Sequence, residues 1–196
     1  MKNIDCLMEA SHLLSVLFYE PSEVFADGNE EFFNEYENIV KTYCPEFNEF
    51  FKRLRNSFYD ETFENLRVDH AALFLGPFKK LAYPYGSVYL ESERLINGVT
   101  TKEVEKIYLK AGVEVYEDQK TVPDHIAIEL EFIHFMLVKI QTESDVQESK
   151  ELLDTFINNY FTPFADKLAQ DIIEKAETEF YKTVGEMLKL FVEKIK

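Results

Sequence analysis

Apolar residues return every three to four positions along almost the whole of this chain. Ile4, Leu7, Leu14 and Phe18 form one such stripe, ended by Pro21; Phe32, Phe33, Tyr36, Ile39, Val40 and Tyr43 form another, ended by Pro45. That period belongs to the α-helix, whose side chains line one face at i, i+3, i+4 and i+7. Only 6 Gly and 6 Pro are available to break it in 196 residues. The chain is therefore expected to be all-α, a single compact multi-helix domain over 1–196 with about 8–10 helices.

Punctuation residues divide the pattern. A first helix is expected over about 3–19. A turn at Asp27-Gly28 precedes a second helix N-capped by Asn29, and Pro45 opens a third that carries Phe47, Phe50, Phe51, Leu54 and Phe58. Asp60 is placed to cap a fourth, running to Gly76-Pro77. Residues 78–100 have no clean period and read as an irregular middle connection with at most short helices. Thr100 or Thr101 then caps a helix closed by Gly112, and Pro123 fits the first turn of the next, about 124–141. Ser144 or Asp145 begins a further helix to about Tyr160, Pro163 another to Glu174, and the last follows.

Composition excludes several functions. With 37 acids against 21 bases the net charge is -16, which repels phosphate backbones and anionic membranes, so no nucleic-acid partner is expected. The first helix carries Asp5 and Glu9, and the run Ile126 to Ile140 is broken by Glu129, Glu131, His134 and Lys139. Neither suits the apolar core of a bilayer, about 30 Å thick. No stable membrane insertion is expected, and the cytoplasm is the expected compartment. Cys6 and Cys44 form no metal-like cluster.

The densest chemistry is "TVPDHIAIELEFIHFML", residues 121–137. On a helix, Ile126, Leu130, Ile133 and Leu137 share one stripe, with Asp124 and His125 in the first turn, near a surface, and Glu129 one turn on. Glu131 and His134 have the Glu-x-x-His spacing of di-iron carboxylate bundles, and Glu9 and His12 repeat it. A di-iron bundle on Glu9, His12, Glu131 and His134 is therefore the rival reading. It lacks evident inward-facing partners on other helices. No phosphate-cradling glycine loop, H-E-x-x-H or G-x-S-x-G is present, and no catalytic residue, cofactor or metal site is assigned.

The same stretch resembles the Pro-Asp-His helix start and Glu-Leu-x-Phe of the TorD/DmsD/NarJ family of redox-enzyme maturation chaperones. "LFLGPF" at 73–78 is similar to the family's Leu-Phe-x-Gly-Pro element, and "YPYGSVYLE" at 83–91 to its Pro-Tyr-x-Ser-Val-Tyr element, in the same order. Family members often carry Trp in the groove segment and in a late helix. This chain has none, and Tyr85, Tyr160 and Phe161 stand in those places.

The resemblance implies a TorD-like domain that is no enzyme. It implies binding of the twin-arginine leader, or a vestige of it, on the catalytic subunit of a DMSO-reductase-type molybdoenzyme, and assistance with cofactor insertion before export. Monomer and dimer both remain open. A leader of two arginines and an apolar stretch asks for carboxylates beside an apolar groove. The run Glu20 to Glu49 holds nine acids and one lysine. Asp124 is expected at the groove rim pairing an arginine, His125 bonding the leader backbone, and Glu129 either orienting His125 or facing the ligand itself. Gly76 and Pro77 are expected to shape a turn exposing Leu73 and Phe74, with Pro84, Tyr85, Ser87 and Tyr89 along the floor. Core packing fits Phe74 and Tyr89 equally well.

Overall fold

The computed structural model describes residues 4–76, 80–113, 122–144 and 146–196, without the side chains of 23–28. Ten α-helices lie among the described residues: α1 Ile4–Leu17, α2 Glu23–Tyr43, α3 Asn48–Asp60, α4 Phe63–His70, α5 Gly86–Leu90, α6 Val99–Ala111, α7 Ile126–Thr142, α8 Gln147–Phe156, α9 Thr162–Lys175 and α10 Glu179–Ile195. The all-α expectation holds, and the middle connection carries one short helix, α5.

The core is one continuous apolar cluster built on α1, α7, α9 and α10. α1 packs on α7 and α10, α10 also packs on α3, and α9 and α10 form a hairpin. Gly185 sets the hairpin's spacing: a Cβ there would come within 3.0 Å of Ile173 Cγ1 and 3.2 Å of the Ala169 carbonyl. Aromatic rings fill the remaining layers. Phe33 meets Phe51 and Phe58, and Tyr108 meets Phe132 and Phe156, and all six rings are buried. Each full aromatic burial contributes roughly 1.5–3 kcal/mol.

Several boundaries differ from the sequence pattern. α2 begins at Glu23, so Asp27, Gly28 and Asn29 lie inside it. A glycine inside a helix costs about 1 kcal/mol, a penalty that the burial of Phe33, Tyr36 and Val40 on the same helix outweighs. Thr62 rather than Asp60 caps α4, its hydroxyl accepting from the Asn65 N–H. α6 starts after Gly98, and the Glu91 carboxylate reaches across the turn to accept the Thr100 N–H at 2.6 Å. That bond holds the Glu91 carboxyl below its ordinary range. Any side chain at Gly98 would collide with the same carboxylate. Gly112 closes α6 in the left-handed region, φ 84°, as expected. α8 begins at Gln147, later than Ser144; Asp145 lies outside the described residues.

α8 and α9 are one continuous helical run joined by a π-turn, Ile157–Phe161, where the Thr162 N–H bonds Ile157 O. Pro163 does not break the run, because this i→i+5 turn rearranges the ladder just ahead of a residue with no N–H to give. A second π-turn, Ala71–Leu75, extends α4 and ends at Gly76, φ 38°. Cys6 and Cys44 form no disulfide; the Cys44 thiol donates to the Cys6 carbonyl.

Candidate functional site

The middle connection is clasped to the start of α7. Ile126 N–H donates to Pro84 O and Gly86 N–H to Asp124 O, both at 2.9 Å, and Tyr85 and His125 make an isolated antiparallel bridge. Asp124 completes the clasp with its side chain: Oδ2 accepts the Ser87 N–H at 2.6 Å. Ser87 lies in the first turn of α5, where the N–H groups have no helical partner, so a carboxylate from α7 caps α5 across space. Tyr108 donates to Pro123 O at 3.1 Å and fixes the other side of the same turn.

Behind the clasp lies a small polar chamber. Gly86 leaves room for the Glu129 carboxyl, and a Cβ there would sit 3.3 Å from Glu129 Oε1, 3.5 Å from Phe164 and 3.6 Å from the Asp124 Cβ. Asp124 Oδ1, Glu129 Oε2 and the Ser87 hydroxyl are buried and make no hydrogen bond to protein atoms. Burial, reinforced by the neighbouring Asp124, pushes the Glu129 carboxyl well above its ordinary range. Burial next to a second carboxyl thus favours the protonated form of Glu129.

His125, beside Asp124 in the clasp, is partly buried. It is the N-cap of α7, its Nδ1 accepting the Ala127 N–H at 3.2 Å, which leaves the ring proton on Nε2. Burial, then the nearby Lys80 charge, pushes its pKa down to about 4, so the ring is neutral in water near pH 7. Its edge meets Tyr85 at 5.2 Å between ring centroids, and Lys80 Nζ sits 4.7 Å from the centroid of the Tyr85 ring.

These positions correct three expectations. Asp124 and His125 precede α7 rather than forming its first turn. Asp124 has 0% exposure, so it stands behind the rim and not on it, its charge committed to a backbone N–H. Leu73 and Phe74 are not exposed: the π-turn rotates both inward, and Phe74 packs on Phe18, His70 and Tyr181. Leu75, the next residue, takes the exposed place. Pro84 and Ser87 are buried, whereas Tyr85 and Tyr89 are half-buried. Pro77 lies outside the described residues. Tyr160 is half-buried at the end of the α8 run, and Phe161 is core.

Other features follow no sequence spacing. Leu81, just before the clasp, and Leu95, Ile96 and Val99, between α5 and the start of α6, are all exposed. Tyr89 donates to Asp171 at 2.6 Å and walls a half-open cleft of about 730 Å³ with Lys80, Arg94, Lys167 and Lys175. Elsewhere, the buried Asp69 accepts the Thr178 N–H and hydroxyl, tying α4 to the start of α10.

The di-iron rival gains no support. His12 and His134 do stack side by side, 5.1 Å between centroids. Yet His12 Nδ1 bonds Tyr36, His134 Nδ1 bonds Met8 O, and Glu131 Oε1 accepts from Tyr19. Among the described residues no cluster of three or more His, Cys, Asp or Glu is arranged to hold a metal. No described helix is long and apolar enough to cross a membrane.

Fold and clasp together define a single-domain helical protein whose middle connection is stapled to the start of α7. The same fold occurs in the crystal structure of a candidate redox enzyme maturation protein from Archaeoglobus fulgidus, with TM-score 0.58, 22% identity, and coverage of 95% of this chain and 93% of the other. The profile of the family described as nitrate reductase delta subunit matches residues 35–170, and the chain belongs to that family, the NarJ/TorD group. It is 32% identical over 129 residues to the chaperone protein TorD of Vibrio parahaemolyticus, covering 64% of this chain and 60% of the relative. It is 29% identical over 131 residues to TorD of Aliivibrio salmonicida, covering 65% and 61%. The alignments thus span about 60% of the length of these curated relatives.

Proposed function

We propose that this chain is a cytoplasmic maturation chaperone that binds the N-terminal leader of a DMSO-reductase-type molybdoenzyme and assists its assembly, without catalysing a reaction itself. Membership of a family whose curated relatives are TorD chaperones supports the class. The observation that carries the binding reading is the clasp. It sets the partly buried His125, with its proton on Nε2, edge to face with the Tyr85 ring, on a chain segment that also carries the exposed Leu81, Leu95, Ile96 and Val99.

An extended peptide needs backbone hydrogen bonds and an apolar bed. His125 donates to a leader carbonyl, Tyr85 and Tyr89 bed its apolar side chains, and Asp124, Ser87, Glu129 and Pro84 act as positioning residues that hold those groups in place. Leu73, Phe74 and Gly76 support the same face from within. The leader's arginines fall on the exposed carboxylates around it, Glu93 among them.

Calorimetry with a synthetic twin-arginine leader tests this. A micromolar Kd, about -8 kcal/mol, is expected, weakened by His125→Ala and by Tyr85→Ala in folded protein. A Lys-Lys control should bind more weakly, since only guanidinium forks engage carboxylates in two parallel bonds. Equal binding of both peptides, or none of either, would remove the reading.

A further inference from the structure

We propose that Cys6 and Cys44 form a modification site, a dithiol that a hydroperoxide oxidises to a disulfide, stapling the start of α1 to the end of α2. The chain has two cysteines in 196 residues. The fold brings them together across 38 positions: the Cys44 thiol donates to the Cys6 carbonyl at 3.2 Å, and the two side chains also hydrogen-bond to each other. Cys6 is 2% exposed and Cys44 1%. A buried thiol standing alone is an inert small hydrophobe, whereas sulfurs already in contact need little backbone movement to join.

The surroundings divide the roles. The bond from Cys44 holds the Cys6 thiol below its ordinary range; burial opposes this, Glu46 disfavours the thiolate and Lys194 favours it. Lys194 is itself paired with Glu46 at 3.5 Å. Cys6 also lies in the first turn of α1, whose N–H groups lack helical partners and favour an anion. The same thiol contact, then burial, pushes the Cys44 thiol up, and Cys6, Glu46 and Glu9 add to it. Cys6 is therefore the nucleophile, and Cys44 keeps its proton and resolves.

The reaction balances in two steps. The Cys6 sulfur attacks one peroxide oxygen, the O–O bond breaks, and the departing hydroxide takes up the proton that Cys6 released and leaves as water. Cys6 is then a sulfenic acid. The Cys44 sulfur attacks the Cys6 sulfur, the S–O bond breaks, and the second hydroxide leaves as water with the Cys44 proton. Two electrons have passed from the two sulfurs to the peroxide.

Burial gates the first step. Peroxide reaches Cys6 when the first turn of α1 lifts from its neighbours, and helix ends are among the parts of a fold that open most readily. The bridge then cancels that opening, because it ties residue 6 to a residue beyond α2. Gln141, in the last turn of α7, donates to Asp5 and sets the pair beside the end of α7 opposite the clasp. With 17 residues, α7 spans roughly 25 Å, so the staple acts at the other end of the bundle from the leader reading and does not depend on it.

The fully reduced, folded chain, treated with hydrogen peroxide, then alkylated and digested, provides the test by mass spectrometry. A peptide pair joined through Cys6 and Cys44 and cleaved by dithiothreitol is expected, with a melting temperature raised by roughly 5–10 °C in the oxidised chain. Cys44→Ser should accumulate a Cys6 sulfenic acid that dimedone captures, and Cys6→Ser should react about tenfold more slowly. Two alkylated cysteines recovered after millimolar peroxide, bridges between molecules in place of the internal one, or equal tagging of the two variants would overturn the proposal. So would an unchanged melting temperature in the fully bridged chain. The joined peptide is read on the parent chain, so a variant that fails to fold leaves the test decisive.

Discussion

Asp124 Oδ2 lies 2.6 Å from the backbone nitrogen of Ser87, a residue 37 positions earlier in the chain, and the contact is fully buried. A carboxylate that looks like a surface acid in sequence thus serves as a remote helix cap. Asp124→Ala strands the Ser87 N–H, which costs about 1–3 kcal/mol. Part of that loss is offset because Glu129 no longer faces a second carboxyl. For a chain of this size the melting temperature should fall by roughly 2–4 °C per kcal/mol. Asp124→Asn keeps an acceptor oxygen and should cost less. Hydrogen exchange at the Ser87 amide locates the effect; unchanged protection in Asp124→Ala would contradict it.

Glu129 gives a pH signature of definite sign. Its folded pKa is raised by burial and by Asp124 above the ordinary 4.5, so the native state keeps a proton that the unfolded chain releases. The stabilisation is complete below about pH 4.5 and is lost as pH rises through the folded value. His70 and His125, held neutral by burial, act in the opposite sense, adding stability as pH rises toward 6.5. The difference between the parent chain and Glu129→Gln isolates the glutamate. Urea midpoints from pH 5 to 8 should show the variant gaining on the parent as pH rises; parallel curves would place no proton on Glu129.

Much of the frame was legible because its causes are local. Pro45 opening a helix and Gly112 closing one each act within a turn of themselves. The rest depends on partners far away in sequence. Neither the π-turn that carries the chain past Pro163 nor the one that holds the buried Phe74 has a marker in the local spacing. Asp124 read as a rim residue because a helix-start acid ordinarily faces water, and nothing nearby in sequence names Ser87 as its partner. The cleft's cations come from positions 80, 94, 167 and 175, so no spacing rule gathers them.

Asp69 closes the α9–α10 hairpin from outside it. Its Oδ2 accepts the Thr178 N–H at 2.8 Å and the Thr178 hydroxyl at 2.6 Å, while that hydroxyl accepts the Tyr181 N–H and caps α10. Asp69→Ala removes both Thr178 bonds and the contact that accepts the Glu177 N–H at 3.2 Å, and frees the cap to rotate, costing about 2–4 kcal/mol. Thr178→Val should cost about half as much. Because the two share one network, the double variant should lose less than the sum. Strict additivity in urea denaturation would show the cap to be independent of Asp69.

Gly185 sets two physical tendencies against each other. Alanine in a helix interior is favoured over glycine by about 1 kcal/mol. Here its Cβ would press on Ile173 and Ile172 at 3.0 and 3.1 Å and on the Ala169 carbonyl at 3.2 Å. The isoleucine ends can rotate, but the carbonyl belongs to the α9 backbone and moves only with the helix. Overpacking of a tight core costs about 1–3 kcal/mol, so packing should outweigh propensity. Gly185→Ala is expected to lose about 1 kcal/mol net, and Gly185→Val distinctly more. A gain in urea midpoint for the alanine variant would mean that α9 shifts freely against α10, and that their close approach is not what the glycine secures.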